Sequence, residues 1–129
     1  MPLITIEARL GLDSNLKRAL FDLVHGALVE CFRIPDHDRT QRFVEHAPEN
    51  FEIPPGRGPN YTVVTIVAFA GRSLDAKRAL YRAIADGFER LGFPRTDVMI
   101  LLQEEPSHNW GLRGGVAGCD LDIGFKIDV

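Results

Sequence analysis

The chain has 129 residues, 45% of them hydrophobic, enough for one domain that buries roughly two thirds of its unfolded surface, and no linker divides it. A formal net charge of −3 and a pI near 5.8 exclude a general electrostatic attraction to nucleic acid or to an anionic membrane. The longest near-apolar run, residues 63–71, is too short to span a bilayer, and Glu7 and Arg9 interrupt the first apolar stretch before a secretory signal is complete, so a cytoplasmic protein is expected.

Residues 3–8 read as a short apolar strand that carries the start of the chain into the fold, with Pro2 just ahead of it. Loss of Met1, which a small second residue permits, leaves Pro2 as a secondary amine. An ordinary α-amino group titrates at about 7.7–8.0, so modest burial or a nearby cation brings such an amine into the range of acid/base chemistry. Met-Pro is also simply how some chains begin. Gly11 then opens a turn, and Asp13 or Ser14 can cap a helix. Leu16, Leu20, Leu23, Val24, Ala27, Leu28, Cys31 and Phe32 recur at three and four residues as one apolar stripe, with His25 on its polar flank, until Ile34-Pro35 ends the helix. Pro35 to Arg39 is a polar turn. Residues 40–45 alternate as a half-buried strand does, completing a βαβ unit.

Residues 47–60 hold Pro48, Pro54, Pro55, Pro59, Gly56 and Gly58, too many breakers for a regular element. A strongly apolar strand over 61–69, a turn at Gly71-Arg72-Ser73, a second helix marked by Leu74, Leu80, Ile84, Phe88 and Leu91, and a strand over 98–102 follow. Gly111 to Gly115 lacks a following helix, which excludes a phosphate loop and leaves a flexible lid. Leu121, Ile123, Phe125 and Ile127 alternate like an edge strand able to reach a neighbouring subunit.

The two halves repeat. Gly11 against Gly71, and Lys17-Arg18-Ala19-Leu20-Phe21 against Lys77-Arg78-Ala79-Leu80-Tyr81, share one spacing of 60 residues. A single domain over 1–129, with β-α-β repeats at about 2–46 and 61–103, is therefore an α/β (α+β) fold: a four-stranded sheet with two helices on one face. The strand over 61–69 is apolar on both sides, so its other face needs a cover, which self-association supplies; a trimer would bring subunit edges close to each Pro2.

Arg72 lies between a strand end and a helix start, where its planar fork of donors can pair with a carboxylate and its charge would lower the pKa of Pro2. As a mere surface residue there it would oppose the helix macrodipole. Asp38, in a polar turn, fits a capping carboxylate as well as a catalytic one. Trp110 buries much the same surface as a pocket wall or as a packed aromatic. His37, His46 and His108, like Cys31 and Cys119, lack metal-ligand spacing, so no metal is expected.

Pro2 after the initiator, two βαβ halves and an arginine directly after the third strand together resemble the tautomerase superfamily. Within it the chain is most similar to the malonate semialdehyde decarboxylase-like group, through Ile34-Pro35-Asp36-His37-Asp38-Arg39-Thr40-Gln41, Ala70-Gly71-Arg72-Ser73 and Ser107-His108-Asn109-Trp110-Gly111. The resemblance covers essentially the whole chain. It implies a homotrimer, no cofactor, a small carboxylate-containing carbonyl substrate and catalysis by the amino-terminal proline. Pro2, Asp38 and Arg72 then take the catalytic positions, Arg72 also binds substrate, and Trp110 helps wall the pocket. Of two arginines after the third strand only Arg72 is present, Ala70 standing in the other place, so Arg39 or Arg113 would have to compensate. Keto-enol tautomerisation of a small oxo acid is the implied reaction. Decarboxylation or hydration of a 3-oxo acid such as malonate semialdehyde is the alternative, and a non-catalytic oligomeric module for carboxylates or another protein is a third reading.

Overall fold

The computed structural model describes residues 2–129. Alternating side chains form β1 (Leu3–Arg9), with Ile4, Ile6 and Ala8 buried and the residues between them half-buried. Gly11, at φ +130°, turns the chain into α1 (Ser14–Phe32), whose first turn is capped by Asp13 accepting a hydrogen bond from the Leu16 amide at 2.8 Å. Then come β2 (Gln41–His46), β3 (Thr62–Phe69), α2 (Leu74–Arg90), β4 (Val98–Glu105) and a small hairpin of β5 (Gly111–Leu112) and β6 (Val116–Ala117). No helix among the described residues is long and apolar enough to cross a membrane. Cys31 and Cys119 are free.

The four long strands lie in the order β2-β1-β3-β4, with β1 parallel to β2, β3 parallel to β4, and β1 antiparallel to β3. Because the central pair is antiparallel, the starts of β1 and β2 and the ends of β3 and β4 share one end of the sheet. There α1 also finishes and α2 begins. Both helices cover one face, where Leu20, Val24, Leu28 and Phe32 of α1 and Leu80, Ile84 and Phe88 of α2 pack on Ile4, Ile6, Val64 and Ile66. Each such side chain contributes about 1.5–3 kcal/mol of burial. Gly87 lets the helices approach: a Cβ there would stand 3.0 Å from Cδ1 of Leu23.

The repeat extends beyond its sequence signature. Ser73 caps α2 through the Ala76 amide as Asp13 caps α1, and Gly71 at φ +133° mirrors Gly11. The Lys17–Glu45 ion pair has its counterpart in Lys77–Glu104, each tying a helix to its following strand. The turns after the helices correspond too: Asp38 donates its amide to the Pro35 carbonyl at 3.0 Å, and Asp97 to that of Pro94 at 2.8 Å.

Three expectations change. The 121–127 alternation is real, since Leu121, Ile123, Phe125 and Ile127 are half-buried and the residues between them exposed, but no ladder forms there. The segment folds back on its own subunit, with the Ser73 amide donating to the Val129 carbonyl at 3.0 Å, Ile127 over Gly71 and Phe125 against the core. The 111–115 stretch is a tight hairpin rather than an open lid, closed by a 2.8 Å hydrogen bond from the Gly118 amide to the Trp110 carbonyl. His25 is buried, because the chain after α1 runs back along that flank and brings Asp36 Oδ1 within 3.5 Å of its Nε2. The face without helices carries Leu3, Val63 and Val67 half-buried, and Met99 and Leu101 about half exposed.

Leu20→Ala should cost about 2–5 kcal/mol in urea unfolding, whereas Lys17→Ala, which removes a partly exposed ion pair, should cost about 1 kcal/mol or less. Gly71→Ala and Gly11→Ala both force a side chain onto positive φ and should each destabilise by more than about 1 kcal/mol. Only Gly71→Ala also meets the C-terminal segment, with Cγ2 of Ile127 2.9 Å from the new Cβ. That variant alone should make residues 121–129 susceptible to limited proteolysis.

Candidate active site

The end of the sheet where β1 starts and β3 stops gathers every residue that the sequence nominated. Pro2 is buried, one position before the Leu3–Val67 rung, and continues the inward alternation of Ile4 and Ile6. The Ile4 amide donates to the Thr40 carbonyl at 3.0 Å, which sets the 35–40 turn beside the entry to β1. Release of Met1, on which a free Pro2 amine depends, concerns a residue outside those described.

Arg72 is 6% exposed. Its Nη1 donates to the Phe69 carbonyl at 3.2 Å and its Nη2 to the Phe32 carbonyl at 3.0 Å, joining the end of β3 to the last turn of α1. The guanidinium lies 4.8 Å from the Phe32 ring centroid and 5.9 Å from that of Phe125. Burial pushes its pKa below the ordinary arginine value, with Glu104 acting in the opposite sense. Sequence position alone sets this charge against the positive end of α2. The side chain instead reaches the carbonyl end of α1, where a cation satisfies an orphan acceptor and favours the dipole. Nε has no hydrogen-bond partner among the described residues.

Beside it opens a cleft of about 260 Å³. Its polar side is the 37–40 turn, with His37, Asp38, Arg39 and Thr40, faced by Arg113 from the tip of the β5–β6 hairpin. Its apolar side is Pro35, Leu112, Leu121, Ile123 and Phe125. Asp38 is half-buried, and Arg39 is held by Asp22 through an Nη2–Oδ1 contact of 2.8 Å. With Arg39 already paired with Asp22, Arg113 is the cation that these walls offer to an anionic guest. Phe125 lines the cleft and also lies over Arg72, so it separates that guanidinium from the open space.

The structure therefore brings Asp38, Arg39 and Arg113 into one cavity, places Arg72 behind its wall, and buries Pro2 at the same sheet end without making it a lining residue. Trp110 is at the same end but outside the cleft: it borders a shallow groove with Leu3, Val67, Glu105 and Asn109. Its ring meets Phe69 edge-on at 5.2 Å, and its Nε1 donates to the Glu105 carbonyl at 3.4 Å, so it braces the ends of β3 and β4. Sequence reasoning missed His37, Thr40 and the wall formed by Leu121, Ile123 and Phe125. The alternation that marks this wall was visible but was assigned to a strand. Among the described residues no group of three or more His, Cys, Asp or Glu could hold a metal ion.

Comparison with known proteins agrees with this geometry. The profile of a family described as tautomerase enzyme matches residues 38–113, from the turn aspartate to the hairpin arginine. The probable tautomerase YrdN of Bacillus subtilis (strain 168) is 33% identical over 123 residues, which cover 91% of this chain and 95% of that protein. Among solved structures, FG41 malonate semialdehyde decarboxylase inhibited by 3-bromopropiolate superposes with a TM-score of 0.81 at 30% identity, over 88% of this chain and 91% of that one. A fused 4-OT solved as an asymmetric trimer shares the fold, with a TM-score of 0.80 at 20% identity over 92% of this chain and 97% of that one. On this double βαβ frame, the family match over residues 38–113 and relatives 33% and 30% identical over most of the chain place it in the tautomerase superfamily, in the malonate semialdehyde decarboxylase-like group.

Proposed function

We propose that this protein is a cofactor-independent tautomerase that moves a proton within a small oxo acid, with Pro2, freed by loss of Met1, as the acid/base. The observation that carries this reading is the convergence of Pro2 and the Asp38–Arg39–Arg113 cleft on one end of the sheet. A buried amine near arginines is pushed towards its neutral form, and a neutral amine at neutral pH is a competent base. It takes a proton from the enol hydroxyl or from the carbon beside the carbonyl and returns it at the other site, so the substrate is isomerised with no net gain or loss. The Asp38 carboxylate favours the protonated amine that forms in between. An arginine holds the substrate's carboxylate through its paired donors, and Arg39 and Arg113 are the two that line the cleft, with Arg72 behind its wall.

Decarboxylation of a 3-oxo acid is the second reading, favoured by the 30% identity to a malonate semialdehyde decarboxylase. In that case a protonated Pro2 polarises the carbonyl, the C–C bond to the carboxylate breaks with loss of CO2, and the resulting carbanion takes the proton from Pro2, which solvent water then restores. The same reading makes the protein a cytoplasmic homotrimer with no nucleic-acid or membrane partner. Support for the trimer is the apolar helix-free face, together with the trimeric assembly of the structurally similar fused 4-OT.

An uncleaved N-terminal tag, which keeps the Pro2 nitrogen in a peptide bond, should lower turnover of a panel of 2-oxo and 3-oxo acids at least about 100-fold, and cleavage to Pro2 should restore it. Equal activity in both forms would remove Pro2 from the mechanism. Saturable binding of oxo acids without turnover by the cleaved form would favour the binding module. Direction with pH separates the two reactions: kcat/KM for tautomerisation rises as the amine loses its proton, whereas that for decarboxylation falls over the same range. Leu101→Glu should convert the trimer to monomer on size-exclusion chromatography with light scattering, since it places a charge on the apolar face.

A further inference from the structure

We infer that Arg113 is the residue that receives the substrate's carboxylate, while Arg72 holds the backbone behind the site and does not meet the substrate. The inference deepens the proposed function and rests on the cleft beside Asp38 being the place where the oxo acid binds.

The three arginines at this end differ in what their donors already do. Both terminal nitrogens of Arg72 are engaged with backbone carbonyls, at 3.2 Å to Phe69 and 3.0 Å to Phe32, and the residue is buried, its guanidinium 5.9 Å from the Phe125 ring centroid. Turning that fork to a substrate would break both of these hydrogen bonds and require Phe125 to move. Arg39 lines the cleft, but its Nη2 is committed to Asp22 at 2.8 Å. Arg113 lines the same cleft and makes no hydrogen bond or ion pair with another described residue. Its whole fork is available to a carboxylate.

The backbone at Arg113 supports the assignment independently. Arg113 has φ +47°, followed by Gly114 at +84° and Gly115 at +93°. Two of these three left-handed positions are glycines, the residue suited to such a turn, and the third holds an arginine at a conformational cost. Strain of this kind is retained where a side chain has a task. The hairpin that bears it is anchored: Gly118 runs so close to the chain at Ser107 that a Cβ would meet the Ser107 carbonyl oxygen at 2.5 Å, and its amide bonds to Trp110. Arg113 is thus held at the mouth of a cavity of about 260 Å³, a size suited to an acid of a few carbons. The missing arginine of the third strand end is replaced from a different loop.

The test uses the full chain cleaved to Pro2, with malonate, a three-carbon dicarboxylate, as the binding probe in isothermal titration. Arg113→Ala should weaken malonate binding about 10- to 100-fold, the range expected on losing a charged hydrogen-bond donor pair, and Arg113→Lys should recover part of it. For an oxo acid that the protein turns over, KM should rise by the same factor with kcat little changed. Arg72→Met should melt at lower temperature yet bind malonate within about threefold of the wild type; should it fail to fold, the Arg113 comparison decides alone. Malonate affinity unchanged in Arg113→Ala, or no binding by the wild type, overturns the inference. Turnover by the wild type combined with unchanged affinity in Arg113→Ala would keep the tautomerase reading and remove this one. Affinity lost in Arg113→Ala with no turnover by the wild type would do the reverse.

Discussion

The antiparallel pairing of β1 with β3 is the constraint on which the candidate site depends. Each βαβ unit alone would place the start of its first strand and the end of its helix at the same end, which is a property of any parallel crossover. Joining the units through Leu3–Val67 and its neighbouring rungs adds the ends of β3 and β4 to that end as well. Pro2, the 35–40 turn, Arg72 and the hairpin then converge although they are spread over more than a hundred residues. A parallel β1–β3 pair would have sent Arg72 and Arg113 to the opposite end from Pro2.

Arg72 fixes the geometry that this pairing permits. By donating to carbonyls at the end of α1 and the end of β3, it couples the helix that leads into the Asp38 turn to the strand alongside β1. A buried charge is tolerated because it is hydrogen-bonded to carbonyl dipoles and flanked by aromatic faces, Phe32 on one side and Phe125 farther off on another. The C-terminal segment is therefore part of the same construction. Phe125 contributes to the cleft wall and the burial of Arg72, while Ile127 and Val129 close over the turn that carries Arg72 into α2.

Much of this was legible in the residues. The 60-residue spacing predicted both helices and a four-stranded sheet with the two helices on one face, because Gly11 and the apolar stripe of α1 recur as Gly71 and the stripe of α2; the strand order and the Ser73 cap came from the structure. The site was legible as a set of residues gathered at one end, but not as contacts. Nothing in the sequence distinguishes an arginine aimed at a ligand from one aimed at the backbone, so Arg72 read as an open donor. The last strand residues 103–105 are polar and gave no periodic signal, yet the ladder with β3 holds them extended. The alternation of 121–127 fits a paired strand or a segment laid across a turn, since both bury every second side chain.

The far end of the molecule is an internal control for the near one. At the positions corresponding to Arg72 and Asp38 it has Leu12, which packs on the core, and Asp97, which is 3% exposed and accepts the Gly58 amide at 3.1 Å. There the turn aspartate anchors the backbone of the chain approaching β3, and the adjoining proline- and glycine-rich loop closes around it. The same turn at the near end, with the same amide-to-proline-carbonyl hydrogen bond, sets Asp38 in the wall of a cavity. A carboxylate that holds a backbone N–H in one repeat stands, in the other, beside the entry to the strand headed by Pro2. Divergence of the two halves at Leu12/Arg72 and in the chain packed against each turn aspartate is sufficient to turn a structural anchor into a candidate partner for a protonated amine.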